Sequence, residues 1–125
     1  MKAIILTEPG GVENLKLTDT EKPGIKEGEV LIAVKAISIN PVDVKSRKGK
    51  GVYGRIKDQH PLILGWDVSG IVTESKSTSF KPGDEVFGMV NFPGHARAYA
   101  EYVAAPASQL ALKPASVSHA EAAAA

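Results

Sequence analysis

The chain contains no cysteine. This absence excludes disulfides, thiolate zinc ligands and cysteine nucleophiles, so the fold has to be stabilised by packing alone. A reducing compartment suits such a chain, and we expect the protein to be cytoplasmic.

Long hydrophobic runs and an excess of one charge are also missing. The N-terminal MKAIIL has too few apolar residues for a signal peptide, and no run approaches the ~20 residues of a membrane helix. Fifteen basic and fourteen acidic residues give a net charge of +1. No overall field therefore marks the protein as a binder of nucleic acid or anionic membranes, and we expect neither partner. The 125 residues suit one domain with a real hydrophobic core.

Several motifs that carry chemistry are absent. Nothing fits the GxGxxG or P-loop patterns, so the main binding fold for any nucleotide would lie outside this chain. The serine nucleophile motif GxSxG is missing too. The three histidines, His60, His95 and His119, lie far apart in sequence, and we expect the first two in solvated loops. A metal site needs three or four convergent ligands, and none is predicted.

What the sequence does contain is a series of short strand signals separated by glycine, proline and charged turns. The run from Val30 to Ile39 is apolar on both faces and predicts a central strand. Many strands with few helices favour an all-β barrel or sandwich. The other predicted strands are Ala3 to Leu6, Leu15 to Thr18, Leu62 to Thr73, Glu85 to Val90, Ala98 to Ala104 and Gln109 to Leu112.

Two short helices are predicted. Asn40 can cap a turn that begins at Pro41. Ser118 and Glu121 form a capping box before four alanines, which predicts a helix from about His119. We expect residues 1–117 to form one domain and residues 118–125 to begin a helix that leads to a missing cofactor-binding domain.

Lys45 to Lys57 holds six basic residues and no acid, a density that could attract a phosphate or form a solvated loop. Tyr53 is the one aromatic there and could stack on a ligand, donate a proton or anchor packing. Asp43 could cap its own helix or pair with Arg47 four residues later.

The stretch LGWDVSGIV places Trp66 and Asp67 at the head of an apolar run, either as a site or as a strand entering the core. Gly65 and Gly70 are interpreted as structural, allowing the strand to bend or bulge. A buried carboxylate at Asp67 would need a partner: backbone amides or a basic residue of the missing domain.

Five segments in order resemble the N-terminal, chaperonin-10 (GroES)-like domain of the medium-chain dehydrogenase/reductase superfamily, closest to its quinone oxidoreductase branch. The resemblance implies a mainly β fold: a partly open GroES-like barrel with short helices, truncated before a Rossmann domain. It also implies reduction of quinones or activated double bonds with NADPH, by a full-length homodimer. The segments are MKAIILTEPGG, EGEVLIAVKAISINPVDVKSRKG, LGWDVSGIV, KPGDEVFG and AYAEYVAAP.

The same resemblance implies a site without zinc. Zinc alcohol dehydrogenases have a cysteine ligand where this chain has Asn40, and a histidine followed by glutamate where it has Trp66 and Asp67. The hydroxyl that relays a proton in those enzymes would lie at Val42, which cannot perform that role. Trp66, Asp67 and Phe92 are instead expected to line the substrate cleft.

For the cofactor, the resemblance implies contacts from Asn40 and Tyr53, and Asp43 and Arg47 are expected as further contacts. Tyr53 is the expected catalytic residue, with Tyr53 or water supplying the proton. For Asp43 the structural role described above is the favoured one. The isolated chain is expected to be inactive because the pyrophosphate site would belong to the missing domain.

Two other interpretations remain open. A free-standing co-chaperonin-like binding module would use the segment from Gly49 to His60 as a mobile partner-binding loop. A zinc-type alcohol dehydrogenase domain would require stoichiometric zinc in the full-length protein.

Overall fold

The computed structural model describes all residues 1–125, which form two antiparallel sheets. A small sheet pairs β1 (Lys2–Leu6) with β2 (Leu15–Asp19), in register from Lys2 with Asp19 to Leu6 with Leu15. The second sheet has five strands in the order β6-β3-β4-β5-β7. Its strands are β3 (Glu29–Ile37), β4 (Asp67–Ser75), β5 (Glu85–Met89), β6 (Tyr102–Pro106) and β7 (Ala111–Leu112).

The predicted central strand is confirmed. β3 pairs with β4 on one side and with β6 on the other, and Val30, Leu31 and Ile32 are fully buried. Consecutive side chains of a strand point to opposite faces, so burial of all three means that both faces are covered there. Together with its few short helices, the molecule has the mainly β fold that was expected.

Two glycines in the β4 region are structural, as predicted, although the reason at Gly70 is a close contact and not a bend. Gly65 has φ +96°, a conformation that side chains rarely adopt, and it ends the extended run before β4 begins. A Cβ on Gly70 would lie 2.2 Å from the Ala33 carbonyl oxygen of the neighbouring strand. Only glycine therefore allows β3 and β4 to approach this closely.

Three predicted strands begin later than the sequence suggested. β4 starts at Asp67 because Gly65 interrupts the run from Leu62, β6 starts at Tyr102, and β7 starts at Ala111. The segments just before β4 and β6 still form individual backbone hydrogen bonds to neighbouring segments. Tyr99 N donates to Leu64 O at 3.0 Å, and Ile4 N donates to Tyr99 O at 2.9 Å.

Three short helices complete the fold: α1 (Pro41–Arg47), α2 (Tyr53–Ile56) and α3 (His119–Ala123). The capping box of α3 is confirmed: Glu121 N donates to Ser118 Oγ at 3.1 Å, and Ser118 N donates to Glu121 Oε1 at 3.0 Å. α2 was not predicted. Ile56 is 1% exposed and packs in the core, so it anchors α2. The segment from Gly49 to His60 is therefore held to the domain near its own midpoint. None of the helices is long and apolar enough to cross a membrane.

Candidate functional site

The ends of two neighbouring strands bring Asn40 and Asp67 together. β3 ends at Ile37, which pairs with Val68, so the residues after β3 lie beside the start of β4. Asn40 Nδ2 donates to Asp67 Oδ2 at 2.8 Å. Asn40 occupies the N-cap position of α1 as predicted, but its side chain makes no capping bond. Asp67 thus has a partner within this chain, an amide side chain that was not among the candidates.

Asp43, in the first turn of α1, is buried and only 2% exposed. The Tyr99 hydroxyl donates to its Oδ2, while Oδ1 has no hydrogen-bond partner. Burial raises the pKa of Asp43, the hydrogen bond from Tyr99 opposes the rise, and the charge of Asp67 adds to it. Burial, followed by the bond to Asp43, also raises the pKa of Tyr99 far above its usual range.

Arg47 does not pair with Asp43. Its Nη1 donates to Gly10 O at 2.7 Å, and Gly10 N donates back to Arg47 O at 2.9 Å. These two bonds fasten the end of α1 to the turn after β1. The structure therefore supports a structural role for both side chains: Asp43 presents almost no surface to a cofactor, and the guanidinium of Arg47 bonds the backbone.

Tyr53 begins α2, packs against the edge of the hydrophobic core and remains half-buried. Its hydroxyl makes no hydrogen bond to another residue. The arrangement does not join Tyr53 to the Asn40–Asp67 pair, and its predicted catalytic role stays a prediction. The basic side chains around it, apart from Arg47, are exposed and form no ion pairs: Lys45, Lys48, Lys50, Arg55 and Lys57.

Trp66 is a core residue, which corrects its expected place as a cleft wall. It is 2% exposed, and its Nε1 donates to Gly94 O at 2.6 Å. A wall has to present surface, and the ring presents almost none. Phe92 packs edge-on against Trp66, with ring centroids 5.7 Å apart, and it is 45% exposed. Of the two aromatics, Phe92 alone can contact a ligand.

Asn40 and Asp67 each have one large, exposed apolar neighbour. Ile39, directly before Asn40, is 72% exposed, and Met89, the strand partner of Asp67, is 56% exposed. Large apolar side chains in water are unfavourable, and clustered ones mark contact surfaces. The site is thus an amide–carboxylate pair bordered by exposed apolar side chains.

A second polar cluster superficially resembles a nucleophilic triad. Ser69 Oγ lies 2.6 Å from His119 Nδ1, and His119 Nε2 lies 2.9 Å from Glu85 Oε1. Ser69 is fully buried, so its hydroxyl cannot reach a substrate. The cluster instead attaches α3 to β4 and β5. No group of three or more His, Cys, Asp or Glu side chains is arranged to hold a metal ion.

Two residues for which no functional role was predicted are important here. His95 accepts a hydrogen bond from Ile63 N at 3.1 Å, and burial, with the nearby charge of Arg97, lowers its pKa to about 4. The expectation of a solvated loop was wrong for this histidine. Tyr99 stands in the quoted AYAEY segment, but no local pattern indicates that its hydroxyl meets Asp43.

Comparison with known proteins matches this chain to one family. The family model "Alcohol dehydrogenase GroES-like domain" matches residues 26–115. The 2-methylene-furan-3-one reductase of Solanum lycopersicum is 40% identical over 99% of this chain and 34% of its own length. The NADPH-dependent alkenal/one oxidoreductase of Arabidopsis thaliana is 40% identical over 98% of this chain and 33% of its own length.

Solved structures agree. The quinone oxidoreductase from Coxiella burnetii superposes with a TM-score of 0.94 at 40% identity, covering all of this chain and 40% of that one. The chain spans about a third of the length of the curated relatives it matches. The chain therefore belongs to the alcohol dehydrogenase GroES-like domain family, within the medium-chain dehydrogenase/reductase superfamily.

Proposed function

We propose that this domain forms the substrate side of an NADPH-dependent, zinc-independent reductase of quinones and other electrophilic double bonds. The names of the relatives support the substrate class, since they are a furanone reductase, an alkenal/one oxidoreductase and a quinone oxidoreductase. One of these names specifies NADPH. In this proposal a cofactor-binding domain of the full-length protein faces the Asn40–Asp67 pair.

The observation that carries the proposal is the state of the Asn40 carboxamide. Its Nδ2 is held by Asp67, while its Oδ1 accepts no hydrogen bond, and the residue is only half-buried. An oriented acceptor beside exposed Ile39 and Met89 suits a flat, largely apolar ring that carries an amide donor. The nicotinamide end of NADPH has that chemistry, so the residues present fit the group.

NADPH, when bound, supplies a hydride to the electron-poor carbon of the substrate, and one proton completes the reduction. Asn40 Oδ1 would orient the nicotinamide carboxamide, and Asp67 would keep the Asn40 side chain in place. Ile39, Met89 and Phe92 would exclude water from the reacting faces. Holding two reactants in a dry cleft accounts for much of such a rate.

Tyr53 and Tyr99 differ in whether the hydroxyl is available to supply the proton. Tyr99 donates its hydroxyl hydrogen to buried Asp43, so it is committed to a structural bond. Tyr53 has a free hydroxyl at a half-buried position. We assign the proton to Tyr53 or to a water molecule.

A zinc mechanism fits the donor set poorly. The two positions that hold zinc in the related alcohol dehydrogenases carry Asn40 and Trp66, and Trp66 is buried with its nitrogen bonded to Gly94. Carboxamide and indole groups are not zinc ligands in proteins. We expect chelators to leave the activity unchanged, and stoichiometric zinc in the full-length protein would contradict this.

The test uses the full-length protein, with NADPH consumption followed for a quinone, an α,β-unsaturated ketone and a simple alcohol. We expect turnover of the first two only.

Asn40→Ala should raise KM for NADPH and lower kcat/KM by about tenfold or more. Tyr53→Phe should lower kcat alone if Tyr53 supplies the proton and leave it unchanged if water does. Absence of turnover with both electrophiles would refute the proposal.

We further propose that the full-length protein is a homodimer with no nucleic-acid or membrane partner. Light scattering on the full-length protein tests this, since the co-chaperonin alternative requires a ring of several chains. The anchoring of α2 by buried Ile56 argues against the free loop that such a ring would use.

A further inference from the structure

Arg97 is a cation without a partner. It forms no ion pair and donates no hydrogen bond, and its Nε is a buried nitrogen that contacts no acceptor. A buried nitrogen donor without an acceptor is costly, and proteins ordinarily pair it. The side chain therefore has unused capacity for an anion.

Arg97 lines a polar cavity of about 440 Å³ between the segment before β3 and the segment from Asn91 to Arg97. We call it the Arg97 cavity. Its polar lining residues are Lys26, Glu29, Gln59, Asn91, His95 and Arg97. Amide and cationic donors thus outnumber the single carboxylate.

The single carboxylate, that of Glu29, already accepts a hydrogen bond within the chain. Glu29 Oε1 accepts from the backbone N of Lys26 at 2.9 Å, and Glu29 forms no ion pair with Arg97. Two other acids, Asp19 and Glu21, line the adjoining cavity that Arg97 also borders. Asp19 pairs with Lys2 at 2.8 Å, and neither acid lies within ion-pair distance of Arg97. No carboxylate of this chain forms an ion pair with the guanidinium.

His95 adds a directed donor. Its Nε2 accepts from Ile63 N, so in the neutral ring the proton is on Nδ1, which has no partner in the chain. The lowered pKa of His95 reflects burial and then the positive charge of Arg97, and it keeps the ring in this neutral form at physiological pH.

Two residues that line the Arg97 cavity also have an unusual backbone conformation. Asn91 and Arg97 are the only non-glycine residues with positive φ, at 53° and 65°, and both line the Arg97 cavity. The left-handed region is unfavourable for a bulky residue such as arginine. Such strain persists where the surrounding structure holds a side chain in place.

We propose that the Arg97 cavity binds a small oxyanion, a phosphate or carboxylate group, with Arg97 as its principal ligand. The planar fork of arginine matches both groups with two parallel hydrogen bonds. Asn91, Gln59 and His95 Nδ1 supply further donors, and Lys26 adds positive charge. The site is independent of the proposed reductase activity.

The test is an NMR titration of the 125-residue chain with inorganic phosphate and, separately, with acetate, at constant ionic strength kept by chloride. We expect saturable shifts of the Arg97 Nε–H and of the backbone amides of Asn91, His95 and Lys26. Saturation by phosphate alone assigns a phosphoryl group, and saturation by acetate alone assigns a carboxylate. Absence of saturable shifts with both anions overturns the proposal.

Arg97→Gly is the decisive variant, because glycine accepts φ 65° without strain while the guanidinium is lost. It should bind the anion about tenfold more weakly or worse. Arg97→Asn, also compatible with this φ, serves if the glycine variant does not fold. Lys81→Ala removes an equal charge at a distant exposed turn, where Lys81 faces Asp84. Equal affinity of the Arg97 variants and Lys81→Ala would refute the site.

Discussion

The Tyr99 hydroxyl donates a hydrogen bond to Asp43 Oδ2, joining the segment before β6 to the first turn of α1. Asp43 is almost fully buried, and this is the one hydrogen bond that its carboxylate accepts. Asn40 is the N-cap of the same helix, and the charge of Asp67 contributes to the raised pKa of Asp43. The bond from Tyr99 therefore holds the start of α1, where Asn40 lies.

Tyr99→Phe should lower the free energy of unfolding by about 1–3 kcal/mol, because it leaves a buried carboxylate without a partner. Urea denaturation measures the change. Tyr102→Phe is the matched control, since the Tyr102 ring contacts Lys22 but its hydroxyl bonds nothing, and it should cost well under 1 kcal/mol. A double-mutant cycle with Asp43→Asn should give a coupling energy clearly different from zero. Additive effects would show that the hydrogen bond does not contribute.

Asp43 should make the domain less stable as pH rises. Burial raises its folded-state pKa above the usual 3.8, so the folded state holds the proton more tightly than the unfolded chain does. The stabilisation is complete below pH 3.8 and is lost as pH rises through the folded pKa. Relative to Asp43→Asn, the wild type should lose stability over this interval, and Tyr99→Phe should move its upper end to higher pH. Parallel pH profiles for all three proteins would contradict this assignment.

His95 acts in the opposite direction. Its folded pKa of about 4 lies below the usual 6.5, so the unfolded state binds the proton first and stability falls as pH drops from 6.5 towards 4. The loss is at most about 3 kcal/mol and is reduced by the partial exposure of the ring. His95→Gln should remove it, whereas His60→Gln, at an exposed position, should not. Stability curves between pH 4 and 7 measure the difference.

Gly70→Ala should destabilise the domain by about 1–3 kcal/mol, because the new Cβ would collide with the Ala33 carbonyl and force β3 and β4 apart. Gly54→Ala is the control. Gly54 lies in α2 with open space around it, and alanine there should stabilise the helix by roughly 0.5–1 kcal/mol. Thermal unfolding measures whether each change lowers or raises the stability. Equal effects of the two changes would contradict the steric explanation.

Much of the fold could be predicted because short-range patterns determine it. The two-faced apolar run of β3, proline at the start of α1 and the Ser118–Glu121 capping box each depend on neighbouring residues. α2 escaped prediction because its four residues, one of them Gly54, carry little periodicity. Buried Ile56, which anchors α2, is recognised only from the assembled core.

The candidate site was partly predictable for the same reason. Asn40 and Asp67 were identified through motifs, but their mutual bond depends on the pairing of Ile37 with Val68 across two strands. Trp66 was misplaced because sequence alone does not say which side of a strand entrance meets the core. Tyr99 and Arg97 were missed because their partners, or the lack of them, follow from long-range packing.

The bond between Asp43 and Tyr99 spans 56 positions, which has a consequence for synthesis on the ribosome. Translation runs from the N-terminus, so α1 and its carboxylate leave the exit tunnel well before the hydroxyl that completes them. The bond between α1 and the segment before β6 can therefore form only after β3, β4 and β5 have been made.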